Sequence, residues 1–397
     1  MTSYQQTDDI FQRRDPAAVW NLPQLRETPS VREWKREFLG EATPIMIEGE
    51  PWHGRKTMCF AFYGVPEWAS PVNPAPGIVL VHGGLGTAYP EWVRMWVRRG
   101  YAAICVDTCG ALPVMTGNGE WMANPEGGPR GWGRIDMADE PEREQWAYHA
   151  VAAVVRSHSF LRSLPNVDTR NIGLTGISWG GFLACIAAAA DDRLAYAVPV
   201  YGCGFNYEHP HWITGNPEEK LRKWASLWDP SVYLPYVKCP MLWVDGTNDF
   251  AFALDRVRRS AALAPVRHCF STHLRMVHGH GSPGESPREI LAFADHYARG
   301  GKDVVRIGEC RFGDGKVSAD FDPCGRQVVN AELLWTTDGA DVKWCDRYWH
   351  NCGVAGFDPS SGNVTAPLPP DAYAWMFNLA TDDGLVFSTP YCQRDRM

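Results

Sequence analysis

The sequence predicts an α/β protein, with a mostly parallel central sheet flanked by helices and a C-terminal β-sandwich domain. Three observations lead there. Apolar strand-like runs alternate with helix-like segments between residues 56 and 300, the pattern of a parallel sheet covered on both faces. The alternation stops at Gly300-Gly301, and short runs of period two follow, separated by turns rich in Asp, Asn, Gly and Pro, as a sandwich requires. Between them, Gly176-Ile177-Ser178-Trp179-Gly180 joins a strand-like run to a small-residue helix.

The elements follow in order. Residues 1–50 read as an N-terminal extension with one helix near Val31–Leu39. KTMCFAFYG (56–64) reads as a strand, and a Pro-rich loop then leads to Ile78–Val81, a short apolar run ended by Gly and hence a buried strand. Residues 91–100 have helical spacing and stop at Gly100, a C-cap residue. Strand 101–107, a Gly- and Pro-rich loop (108–136) and a long amphipathic helix (142–164) come next. Then come strand 171–177, helix 180–190 and strand 194–202. An insert at 203–238 carries Trp212, Trp224 and Trp228. Strand 240–246, helix 251–263, a strand near 268–277 and helix 287–300 complete the series. The chain thus divides into an extension (1–50), an α/β domain (51–302) and the sandwich (303–397).

Bulk properties narrow the class. A chain of 397 residues holds one large domain plus something smaller. The formal net charge of −8 argues against nucleic acid or an anionic membrane as the main partner. Eighteen Trp, fourteen Tyr and sixteen Phe imply large cores and leave room for a ring-stacking cleft. None of the twelve Cys falls in a CxxC pair, so no zinc site is indicated. Cys105 and Cys185 lie in apolar runs and read as buried free thiols. The N-terminus is polar and no stretch is long enough to cross a bilayer, so a reducing, cytoplasmic setting is expected.

The chemistry sits at residues 176–180. GxSxG after a strand and before a helix is a nucleophile elbow, which lifts Ser178 to the top of the sheet. A serine hydroxyl needs a base and an orienting acid, which in this arrangement follow in the order acid, then His. Asp245 and Asp249 are the acid candidates, and Asp249 is preferred because it lies on the loop beyond the strand. His278 and His280 compete as base. His280 is favoured, being further out on a Gly-His-Gly loop that lets the ring swing toward the serine. His273, inside the strand, reads as structural. Two backbone N–H groups should face the developing oxyanion: Trp179, after the nucleophile, and Gly84 or Gly83 of His82-Gly83-Gly84-Leu85-Gly86.

VHGGLGTAYPEWVRMWVRRGYAAICVDTCG, GLTGISWGGFLACIAAAADDR, AVPVYGCGF and WVDGTNDFAF resemble acetylxylan-esterase-like and dienelactone-hydrolase-like members of the α/β-hydrolase superfamily, cousins of prolyl-oligopeptidase-type peptidases. The resemblance covers roughly residues 56–300 and implies the α/β-hydrolase fold. It also implies a serine ester hydrolase working through an acyl-enzyme, without metal or organic cofactor. It carries over onto Ser178, Asp249 and a His of His278-Gly279-His280, with oxyanion donors near Gly84 and Trp179. The glycine loop departs from the GGGG of many relatives at Leu85, which implies a reshaped pocket entrance.

The expected substrate is a small-molecule or oligosaccharide ester, such as an acetylated carbohydrate. Trp228, Tyr201 and Leu85 are candidate substrate contacts, together with Trp121 and Trp132, and Asp107 is a candidate pocket wall at the C-terminal sheet edge. A prolyl-oligopeptidase-like serine peptidase, a lactone or C–C hydrolase and a catalytically silent binding protein are the competing readings. The sandwich domain offers a surface for homo-oligomer formation.

Overall fold

The computed structural model describes residues 11–34, 42–208 and 215–394. Helices α1 (Pro16–Val19) and α2 (Leu22–Leu25) lead into strands β1 (Val31–Glu33), β2 (Thr43–Glu48) and β3 (Met58–Gly64). Then come β4 (Ala75–Val81), α3 (Pro90–Arg98) and β5 (Ala102–Val106). A separate hairpin, β6 (Ala111–Met115) and β7 (Trp121–Ala123), precedes α4 (Trp146–Ser163). Next are β8 (Val167–Ile177), α5 (Trp179–Ala190), β9 (Ala197–Val200) and α6 (Glu218–Trp228). Strand β10 (Met241–Gly246), helix α7 (Leu254–Leu263), strand β11 (His268–His273) and helices α8 (Ser282–Glu285) and α9 (Arg288–Arg299) close the α/β part.

The sheet order here is β1-β2-β3-β5-β4-β8-β9-β10-β11. Strands β5, β4, β8, β9, β10 and β11 run parallel to one another, while β1, β2 and β3 are antiparallel additions. The reason lies in composition. β4, β5 and β10 are buried at every position, so they tolerate helices on both faces. All twelve residues of α5 are buried, and its Gly and Ala content allows close packing on the sheet.

Two expectations need correction. Val31–Glu33 is a strand rather than the start of a helix, because it pairs with Ile45–Ile47 of β2; tertiary pairing overrides local preference. Residues 35–39 of that expected helix lie outside the described residues, as does Trp212. Second, the sheet begins within the expected N-terminal extension: Thr-Pro-Ile-Met-Ile-Glu (43–48) forms β2.

The C-terminal part contains β12 (Arg306–Ile307), β13 (Arg311–Gly313), β14 (Lys316–Asp322), β15 (Val328–Thr336), β16 (His350–Gly353), β17 (Asn363–Pro367), β18 (Ala374–Thr381), β19 (Val386–Ser388) and β20 (Cys392–Gln393). Its two sheets share an apolar core, but one of them is no separate sheet. The order β19-β18-β15-β16 continues directly from β11, with β20 on β18, giving fourteen strands among the described residues. Phe270 pairs with Ser388, the Ser388 Oγ accepts the Thr272 N–H at 2.8 Å, and Asn378 Nδ2 donates to the Thr272 carbonyl at 2.9 Å. The second sheet, β12-β14-β13 with β17 on β14, presents Val317, Ala319 and Phe321 to the same buried cluster as Leu333 and Phe377. That cluster also contains Val79 and Leu183 of the α/β core. None of the helices among the described residues is long and apolar enough to cross a membrane.

A sheet and a core shared across the expected 302/303 boundary predict one cooperative unfolding event. Calorimetry should give a single transition with matching calorimetric and van't Hoff enthalpies. Two resolved transitions would show that the C-terminal part folds separately.

Candidate active site

The strand-to-helix turn holds Ser178 at φ 58° and ψ −119°, a strained conformation for a residue with a side chain. Its N–H donates to the Val200 carbonyl at 2.9 Å and its carbonyl accepts from the Phe182 N–H at 2.9 Å. The flanking glycines are sterically required. A Cβ on Gly176 would overlap the Gly180 carbonyl, and one on Gly180 would overlap the Val81 carbonyl oxygen. Ser178 is half-buried and Trp179 opens helix α5 behind it, so the positive end of that helix faces the serine.

His278 bridges serine and acid. Its Nε2 lies 2.8 Å from Ser178 Oγ and its Nδ1 lies 2.5 Å from Asp249 Oδ2. The other carboxylate oxygen, Oδ1, accepts the N–H groups of Ala251 at 2.8 Å and Phe252 at 2.7 Å. Both carboxylate oxygens of Asp249 thus have hydrogen-bond partners although its side chain is fully buried. Tyr201 stacks on the imidazole at 4.6 Å between ring centroids, and Phe250 packs against it at the same distance. Asp245, the other candidate acid, is buried at the end of β10. Burial, and to a lesser degree the charge of Asp249, push its carboxyl well above the ordinary range.

His280, the expected base, lies elsewhere. Its Nε2 accepts the Gly83 N–H at 2.9 Å, which requires the proton on Nδ1, and Nδ1 then donates to Glu285 at 3.0 Å. Burial lowers the pKa of His280, opposed by Glu285. The ring therefore clamps the glycine loop in place. His82 grips the other side of Gly83: its Nε2 accepts the Thr108 N–H at 3.0 Å and its Nδ1 donates to the Gly83 carbonyl at 2.7 Å. With its N–H committed to His280, Gly83 is not an oxyanion donor; Gly84 is the next residue along. A Cβ on Gly84 would stand 2.7 Å from the Trp179 ring and 2.9 Å from the Trp132 ring, so both indoles flank it closely.

Three expected substrate contacts are placed otherwise. Trp228 is fully buried, donates Nε1–H to Gln145 at 2.7 Å and packs against Trp20. Tyr201 is also fully buried, and its hydroxyl donates to the Val277 carbonyl at 3.2 Å, so it supports the histidine loop from behind. Asp107 is buried and accepts the Ala111 N–H at 2.8 Å, capping the turn after β5; it walls a small cavity with Cys59, Thr108 and His149 rather than either cleft beside the triad. A position at a strand end or in a loop does not reveal side-chain direction. Leu85 is at the mouth: it is 73% exposed at φ 62°.

Two clefts adjoin the site. One, of about 480 Å³, is lined by Leu85, Ala111, Trp121, Arg130 and Trp132. The other, of about 430 Å³, lies beside His278 and is lined by Phe250, Arg275, Val277, Arg347 and Tyr348. The contribution of Arg347 and Tyr348 was not visible in the sequence, being 69 residues or more downstream of His278.

The pH dependence of stability has a defined sign. A histidine whose folded pKa lies below its unfolded value of about 6.5 stabilises the fold above that pH, and the contribution is lost as pH falls through the lowered value. Urea midpoints should therefore drop between pH 7.5 and 5.5, and His280→Gln should show a smaller drop than wild type. An unchanged drop in that variant would contradict the buried, neutral His280.

A sequence profile of the X-Pro dipeptidyl-peptidase (S15 family) matches residues 39–229. An acetyl xylan esterase from Paenibacillus sp. R4 is similar in structure, with a TM-score of 0.54 and 19% identity over 74% of this chain and 100% of its own. Acetyl xylan esterase 1 from Thermoanaerobacterium sp. JW/SL YS485 is similar too, with a TM-score of 0.55 and 15% identity over 72% of this chain and 95% of its own. A search of curated proteins returns no match. Sheet order, elbow and structural likeness together give this chain the α/β-hydrolase fold.

Proposed function

We propose that this chain is a serine carboxylic-ester hydrolase that removes acetyl or similar small acyl groups from carbohydrates through an acyl-enzyme. The observation that carries the reading is the continuous chain Ser178–His278–Asp249 at the elbow, with contacts of 2.8 and 2.5 Å. His278 takes the Ser178 proton as Oγ attacks the ester carbonyl, and Asp249 holds the imidazole and stabilises its cation. The backbone N–H groups of Trp179 and Gly84 are the oxyanion donors in this reading. His278 then protonates the departing alcohol, and later activates the water that releases the acid from Ser178.

The substrate class rests on the cleft beside Gly84. Trp132, Trp121 and Arg130 line it, residue types suited to stacking on a sugar and bonding its hydroxyls. The acetyl xylan esterases that share the fold support the same class. The match to the X-Pro dipeptidyl-peptidase profile favours a second reading, cleavage of peptide amides.

Hydrolysis of 4-nitrophenyl acetate, acetylated xylo-oligosaccharide and an X-Pro anilide separates the two. The ester reading predicts turnover of both acetates and little of the anilide. Ser178→Ala and His278→Ala should each lose about 10⁴-fold or more in kcat. Trp132→Ala should raise KM about tenfold for the oligosaccharide, the worth of one lost stacking contact of about 1–1.5 kcal/mol, and leave aryl acetate hydrolysis nearly unchanged. Preferred turnover of the anilide would replace the esterase reading with the peptidase one.

A further inference from the structure

The acid of the triad is held from a part of the chain remote in sequence. Its own turn holds the carboxylate through the Ala251 and Phe252 N–H groups, but holds the backbone loosely: the Asp249 N–H reaches the Gly246 carbonyl at 3.4 Å, a long bond. The firmer anchor of the Asp249 backbone is Trp344, in the single helical turn Trp344–Asp346 between β15 and β16. Its indole Nε1–H donates to the Asp249 carbonyl at 2.7 Å. One residue earlier, Asn248 Nδ2 donates to the carbonyls of Cys345 at 2.9 Å and Arg347 at 2.8 Å. Three hydrogen bonds thus tie the acid loop to residues 344–347.

The same indole has a second partner. Arg256, in the first turn of α7, is fully buried, and none of its guanidinium nitrogens has a hydrogen-bond partner among the described residues. Its guanidinium carbon stands 4.7 Å from the Trp344 ring centroid. A buried cation is costly without compensation, and the ring face supplies it. The indole therefore links the acid loop to the helix that follows it, using its edge for one and its face for the other.

We propose that Trp344 is a positioning residue: its N–H fixes the Asp249 backbone so that the carboxylate meets His278 Nδ1. This rests on the reading of Ser178, His278 and Asp249 as a hydrolytic triad. A displacement of the acid on the scale of an ångström or less misaligns the imidazole, and such misplacements cost up to about a hundredfold in rate.

Trp344→Phe is the direct test, since it keeps a ring face for Arg256 and removes the N–H. Turnover of 4-nitrophenyl acetate should fall about tenfold or more in kcat, with KM within about twofold. The downfield proton resonance of His278 Nδ1–H should shift or broaden, while the melting temperature stays near wild type. Asn248→Ala, which leaves the indole in place, should move kcat and the resonance in the same direction. If Trp344→Phe is folded and keeps wild-type kcat and resonance while Ser178→Ala is inactive, the positioning role is overturned and the triad stands. If Ser178→Ala keeps wild-type turnover, the triad reading fails and this inference falls with it.

Discussion

The structure depends on one close approach, that of the first turn of α5 to the ends of β4 and β9. Gly176 and Gly180 leave no room for a Cβ against the neighbouring backbone. Because the helix comes so near, the chain must turn sharply at Ser178, and the serine is left in a left-handed conformation. The strain, on the order of 1–3 kcal/mol, is held by a fully buried helix behind it and by fully buried strands below. It lifts Oγ out of the sheet edge and toward the loop that carries His278. Without that approach the histidine loop, the glycine loop and the helix end would have no common focus.

Around that focus, each loop is fixed by groups that do not react. His280 and His82 hold Gly83 by its N–H and its carbonyl. Tyr201 backs the imidazole of His278, and its hydroxyl meets the carbonyl before it. Trp344 reaches the acid loop from beyond β15. The C-terminal strands therefore do more than extend the sheet. Continuity through β11 and β19 sets where residues 344–348 fall, and so where the second cleft beside His278 opens.

Much of this was legible in the sequence. The parallel core could be read because β4, β5 and β10 are apolar throughout, and Ser178 and Asp249 because the elbow and the acid loop have local signatures. What failed to show has a physical reason in each case. His278 and His280 are two residues apart on a loop, and only the fold decides which ring faces the serine. Trp228 and Tyr201 have the composition of a binding surface yet point inward. Trp344 and Asp249 meet across 95 residues, a contact that no local pattern encodes. The edge strand Val31–Glu33 exists only because Ile45–Ile47 lies beside it.

The central claim is that Ser178 is a nucleophile activated by His278 within an intact triad. Its most direct test is covalent trapping: incubation with a fluorophosphonate, followed by intact-mass and peptide mass spectrometry on wild type and His278→Ala. The account predicts one adduct per chain, on the peptide that contains Ser178, formed far more slowly when His278 is absent. An adduct on another residue, or equally fast labelling of Ser178 in both proteins, would contradict it.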